Sequence, residues 1–221
     1  MMNNYCLRRL RYALDLNDKD VLDTFALASY KLTPSELKSY LVKEEDKGYV
    51  ELPDYILVIF LDGLIIKMRG AREGETPLTQ AERVEQSKKV KLNNNMVLNK
   101  IKIAFTLNSD DLIKMLELAD FRVSKGEMSA FFRKPDHRNY RECGNQLIRN
   151  LLTGITVHLH KGKKGAVKVK PVKSKPGSKD KSNSQASLKA KSKLKSSGKS
   201  RVGSGVKGKS GKVSFYKKPN K

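Results

Sequence analysis

The sequence has no tryptophan and two cysteines among its 221 residues. Cys6 and Cys143 show no Cys-x-x-Cys or Cys/His ligand spacing. That excludes a disulfide framework, a zinc finger and a dithiol redox motif, and it predicts a reduced, cytoplasmic protein. Long apolar runs are also missing. The richest stretch is "YILVIFLDGLII" at residues 55–66, with Asp62 inside it. A span of the ~30 Å hydrocarbon core needs about 20 apolar residues, so this stretch reads as a buried helix. The N-terminal "MMNNYCLRRLRYALDL" is interrupted by Arg8, Arg9 and Arg11 and lacks the continuous apolar core of a secretory signal. No glycine-rich phosphate loop follows a strand, no carboxylates pair in a catalytic pattern, and no period-2 alternation marks a strand.

What is abundant is positive charge, and it is unevenly placed. Basic residues number 46 and acidic residues 23, a formal net charge of +23. Residues 161–221 hold 20 Lys, one Arg (Arg201) and a single acid (Asp180), whereas residues 1–160 hold 25 basic and 22 acidic residues. The chain is a nearly neutral body joined to a polycation. The stretch "KAKSKLKSSGKSRVGSGVKGKSGK" offers almost nothing to bury, so residues 162–221 are expected to be disordered.

The body repeats itself. Residues 3–70 align with 94–161 without a gap, at a shift of 91. Asn3, Asn4, Leu7, Ala13, Leu16, Asn17, Asp20, Glu36, Tyr49, Leu61 and Gly63 each meet an identical residue in the second copy. The physical roles coincide as well. Cys6, Leu7, Leu10, Ala13 and Leu14 fall on one helical face, as do Val97, Leu98, Ile101, Ala104 and Phe105. Asn17 and Asn108 are placed to cap a second helix. Thr33 with Glu36, and Ser124 with Glu127, read as capping boxes that open a third. A fourth helix carries Ile56, Leu57, Phe60, Leu61 and Leu64, matched by Leu147, Ile148, Leu151, Leu152 and Ile155. Gly63 and Gly154 recur inside that helix, where glycine costs about 1 kcal/mol relative to Ala. Accepting that cost twice predicts another backbone close by. The expected architecture is therefore all-α: a four-helix unit over 1–70, a linker over 71–93 holding a short polar helix capped by Thr79 and Glu82, a second unit over 94–161, and the lysine-rich tail.

The two-copy layout, the "DGL" at 62–64 and the unusual run "PDHRNYRECGNQ" at 135–146 resemble the YehS-like family. These are small bacterial proteins of about this body's length, grouped as a domain of unknown function. The resemblance covers residues 2–161. It implies a duplicated helical body, carries over no activity, and stops short of the tail.

Candidate chemistry concentrates in two places. The loop around 133–143 holds Arg133, Lys134, Arg138 and Arg141, suited to phosphate, with Tyr140 for stacking. The corresponding first-copy stretch, "VKEEDKGYVEL", is acidic, so any basic site belongs to the second copy. A Cys–His reading of His137 and Cys143 lacks a marked base contact or oxyanion hole, and Cys143 aligns with Leu52, which makes it a small buried apolar group. His158 and His160 point roughly 200° apart on a helix and do not share a metal easily. Arg8, Arg9, Arg11, Lys100 and Lys102 are expected on a solvated face away from the leucines.

The second place is the tail, where Lys189, Lys191, Lys193, Lys195, Lys199 and Arg201 are spaced by small residues. A supple chain of this kind follows a polyanion and releases its counterions without reading sequence. The sequence thus leads to a non-enzymatic, nucleic-acid-associated protein without cofactors, with RNA or ribosome-associated structures favoured over duplex DNA. The rival reading is a protein-interaction adaptor that uses a groove between the copies, with the tail as an electrostatic accessory. No membrane partner is expected, and the oligomeric state is left open.

Overall fold

The computed structural model describes residues 2–71, 74 and 76–161. The expected disorder of the tail, and the tail's candidate residues, lie outside them. The described residues are helical, without strands. The first unit comprises α1 (Met2–Ala13), α2 (Asp18–Leu27), α3 (Pro34–Leu41) and α4 (Asp54–Arg69). A linker helix, α5 (Gln80–Lys89), follows. The second unit comprises α6 (Asn94–Ala104), α7 (Ser109–Glu117), α8 (Lys125–Phe131) and α9 (Asn145–His160). No described helix is long and apolar enough to cross a membrane.

Local chemistry sets these boundaries, and it does so twice. Asn17 accepts the Asp20 N–H at 2.8 Å while Asp20 accepts the Asn17 N–H at 3.0 Å. Asn108 and Asp111 do the same at 2.9 and 3.0 Å. Both pairs are complete capping boxes, as are Thr33–Glu36, Thr79–Glu82 and Ser124–Glu127. Helix exits match too. Asp15 and Thr106 adopt φ of 51° and 53°, and Ser29 and Asp120 adopt 59° and 54°. A left-handed residue just past a helix lets the next N–H reach back to an orphan carbonyl. Leu16 N–H accordingly donates to Arg11 O, and Leu107 N–H to Lys102 O, both at 2.9 Å. None of these four residues is glycine, so each turn is held against a backbone preference.

Inside each unit the second helix crosses the fourth at the glycine. A Cβ on Gly63 would fall on the Thr24 carbonyl, and one on Gly154 on the Met115 carbonyl, at the equivalent place. The close approach expected from the repeated glycines is present in both copies. It lets α2 seat on α4, and α7 on α9.

The units then exchange helices. α1 packs on α9, and α6 packs on α4, so each unit's first helix lies against the other unit's last. This arrangement changes the reading of the basic residues on α1 and α6. Arg9 reaches Thr153 across the joint at 3.2 Å, and Lys100 pairs with Asp62 across the other. Arg8 donates to Val42 O at 2.7 Å, and the Lys102 ammonium stands 4.5 Å from the Phe132 ring centre. Of the five residues expected on a solvated face, Arg9 and Lys100 therefore meet the other unit, while Arg8, Arg11 and Lys102 are engaged within their own; helical periodicity encodes neither kind of non-local contact.

α4 packs against α1, α2, α5 and α6, and buries Ile56 through Leu61 continuously. Helices packed on several sides explain why "YILVIFL" reads as a run rather than a stripe. Its counterpart α9 packs against α1, α6 and α7, and keeps Arg149, Asn150 and Thr153 half-buried.

Candidate nucleic-acid interface

The basic loop joins α8 to α9, and two adjacent asparagines at the start of α6 hold it. Asn95 donates to Phe131 O and Arg141 O, both at 2.8 Å, and accepts the Cys143 N–H at 2.8 Å. Asn94 donates to Cys143 O and to Asn145 Oδ1, both at 2.8 Å. The first unit repeats the device. Asn4 donates to Tyr40 O at 3.0 Å and Val50 O at 2.8 Å, and accepts the Leu52 N–H at 2.9 Å. Asn3 donates to Leu52 O at 3.0 Å and Asp54 Oδ1 at 2.7 Å. The identity of the Asn-Asn pairs was visible in the sequence. Their role was not, because the carbonyls they satisfy lie tens of residues away.

Within the loop the backbone closes on itself. His137 N–H donates to Lys134 O at 2.9 Å, and Tyr140 N–H to His137 O at 2.7 Å. Asp46 and Tyr49 form the same two turns in the first unit at 3.1 and 3.3 Å. The scaffolds are equivalent while the charges differ. Residues 133–143 carry four basic and two acidic side chains; residues 42–52 carry two basic and four acidic.

The candidate side chains are not equally available. Lys134 and Arg138 are exposed and make no ion pair among the described residues. Arg133 is half-buried and leans on the His137 ring, its Nη1 3.3 Å from Nδ1. Arg141 is engaged with Glu127 at 2.7 Å. That bond, together with the Ser124 N–H and hydroxyl, which act first, holds the Glu127 carboxyl below its usual range. Tyr140 is half-buried. The tail residues Lys189, Lys191, Lys193, Lys195, Lys199 and Arg201 fall outside the described residues.

Cys143 sits in the core, and burial pushes its thiol up to about 12. Its Sγ lies 3.8 Å from Gly144 O, whereas His137 Nδ1 accepts the Asn139 N–H at 3.0 Å. Cys6 is likewise buried and raised to about 12, with Arg149 pulling weakly the other way. A thiol in that range is not a nucleophile near neutral pH.

A cavity of about 340 Å³ opens at the end of α1, lined by Arg8, Arg11, Tyr12, Asp15, Leu16 and Leu41. Its charge is largely balanced, since Arg11 pairs with Asp18 at 2.7 Å and Asp15 contributes a carboxylate.

The duplicated scaffold has a family counterpart. The family described as "Protein of unknown function (DUF1456)" matches residues 3–70 and 94–160. The chain belongs to this family. It is also 40% identical over 160 residues to the uncharacterized protein YehS of Escherichia coli (strain K12), covering 72% of this chain and 97% of that protein. No solved structure matches. Both family segments end by residue 160, so the lysine-rich tail lies outside the family match.

Proposed function

We propose that this DUF1456 protein is a non-enzymatic, nucleic-acid-associated protein, in which the lysine-rich tail supplies most of the attraction and the α8–α9 loop a smaller contact. The carrying observation is the charge partition: 21 basic residues and one acid over 161–221, against a body of 25 basic and 22 acidic residues. Such a segment binds by releasing counterions and follows a phosphate backbone without reading bases. RNA, including ribosome-associated RNA, is the proposed class. In support, the exposed Lys134 and Arg138 are presented on an irregular loop, not on a helix shaped to lie in the major groove of duplex DNA.

The test is the salt dependence of binding to mixed-sequence nucleic acid. Log affinity is expected to fall against log salt with a slope of about −0.7 per phosphate engaged on single strands and about −0.9 on duplex. Deleting residues 162–221 is expected to remove most of that slope. Lys134→Glu with Arg138→Glu is expected to weaken further, without abolishing, what the body retains. Arg141 is a poorer probe, because reversing it would set two acids against each other at Glu127. Absent or salt-insensitive binding by the full chain at low ionic strength overturns the reading.

A further inference from the structure

The two joints between the units are built from equivalent positions and carry opposite electrostatics. Across the α4–α6 joint Asp62 meets Lys100, and one turn before them stand Val58 on α4 and Met96 on α6. Asp62 is the acid there, and it pairs with both Lys100 and Arg83 of the linker helix. At the α1–α9 joint the same positions are Arg149, Thr153, Tyr5 and Arg9. The valine has become a guanidinium, the carboxylate a hydroxyl, and the methionine an aromatic ring. Arg149 Cζ stands 4.4 Å from the Tyr5 ring centre and Arg9 Cζ 6.0 Å from it. Arg9 donates to Thr153 Oγ1 at 3.2 Å, and the Thr153 hydroxyl donates in turn to Arg149 O at 2.9 Å. Tyr5, Arg9, Arg149 and Thr153 are all half-buried. Neither arginine forms an ion pair among the described residues.

Two partly desolvated guanidiniums without a carboxylate, beside an aromatic ring, form a site short of negative charge. Arginine presents forked donors that match phosphate oxygens, and it stays charged at any ordinary pH. A tyrosine flanked by arginines provides a surface on which an unpaired base stacks. We propose that the α1–α9 joint is the body's principal phosphate-binding site, taking a phosphodiester of single-stranded RNA at Arg9 and Arg149 with a neighbouring base against Tyr5. The ligand class rests on the nucleic-acid reading above; the anion site itself rests on the contrast between the joints. α9 ends at His160, whose Nε2 lies 3.2 Å from Ala13 O of α1, and the chain continues from there into the lysine-rich segment.

The decisive variant is Thr153→Asp, which installs the residue found at the equivalent position of the other joint. It supplies Arg9 with the carboxylate that Lys100 already has, so loss of fold is not the expected result, and a thermal melt checks this. In the full-length chain, Thr153→Asp combined with Arg149→Gln is expected to weaken binding of a fluorescent single-stranded oligoribonucleotide by about tenfold and to flatten the salt slope by about 0.7, the value for one phosphate on a single strand. In parallel, inorganic tripolyphosphate titrated into the full-length protein is expected to shift the NMR signals of Tyr5 and Thr153. A folded double variant with unchanged RNA affinity and slope, together with unmoved Tyr5 and Thr153 signals, overturns the proposal. A tripolyphosphate response without RNA binding by any form removes the nucleic-acid reading but keeps the anion site. Displacement of tripolyphosphate by polyglutamate, with RNA failing to compete, overturns the RNA assignment in favour of an acidic protein partner.

Discussion

The two halves of the body share a backbone plan and disagree about surfaces. Capping boxes, left-handed helix exits, glycine crossings and asparagine clamps recur at a constant shift of 91 residues. The loops those clamps hold have opposite charge. One inter-unit joint is neutralised by Asp62 and the other leaves Arg9 and Arg149 without an acid. The linker helix contributes to this asymmetry, because α5 packs on α4 and brings Arg83 to Asp62. Positions that close caps, glycine crossings and asparagine clamps keep their role in both copies. Positions that only meet solvent or a partner have drifted, and the drift in the second half runs toward positive charge.

If the glycine crossings are equivalent, filling either should do similar damage, and this is the largest effect expected. Gly63→Leu and Gly154→Leu each drive a side chain onto a backbone carbonyl that has no rotamer in which to yield. Each is expected to destabilise the body by about 3 kcal/mol or more, at the upper end of overpacking effects. Chemical denaturation of both variants checks it. A large loss at one glycine with a neutral change at the other would break the equivalence.

The asparagine clamps should differ in a graded way. Asn4 is fully buried, and its Oδ1 also lies 3.3 Å from the Tyr49 hydroxyl; Asn95 is half-buried. Truncating either strands two carbonyls and an N–H, but water reaches the second site more easily. Asn4→Ala is expected to lose about 2 kcal/mol and Asn95→Ala about 1 kcal/mol, within the range for unsatisfied buried groups. The reverse order would show that the loops, not the burial of the clamp, set the energetics.

How much of this was legible in the sequence follows from the range of each interaction. Capping boxes span three residues and amphipathic faces seven, so α1 to α9, including the polar α5, could be placed from the chain alone. The paired glycines gave the crossings, because a costly residue repeated at one register needs a backbone reason. The exchange of first and last helices was invisible. Arg9 and Thr153 are 144 residues apart, and Lys100 and Asp62 are 38 apart. No local pattern distinguishes an arginine that meets a partner unit from one that meets water. The left-handed Asp15, Ser29, Thr106 and Asp120 also escaped notice, since none is the glycine that usually marks such a turn. The candidate loop was found by composition, but the diversion of Arg141 to Glu127 needed coordinates.

The smallest expected effect separates the halves by pH. Lys67 of α4 and His158 of α9 occupy equivalent positions. Lys67 donates to Asp20 O at 3.3 Å. His158 titrates below its usual value of 6.5: burial is the main cause and the Lys161 ammonium adds to it, while Asp111 pulls the other way. A histidine depressed in the folded state binds fewer protons there than in the unfolded chain, so protonation favours unfolding. Stability is therefore full above about 6.5 and declines as the pH falls through the folded value. The carboxyls of Glu36, Glu82 and Glu127 are also depressed, but their contribution is lost only below the usual carboxyl value of 4.5, which leaves a window between the two. In that window, melting temperature is expected to fall with acidification, and His158→Lys, which installs the first half's residue, is expected to flatten that fall whatever it does to absolute stability. Melting curves at about pH 7.5 and about pH 5.5 measure the difference. An equal fall in the wild type and the variant would mean that the acid sensitivity does not arise at His158, and that the two halves respond to protons alike.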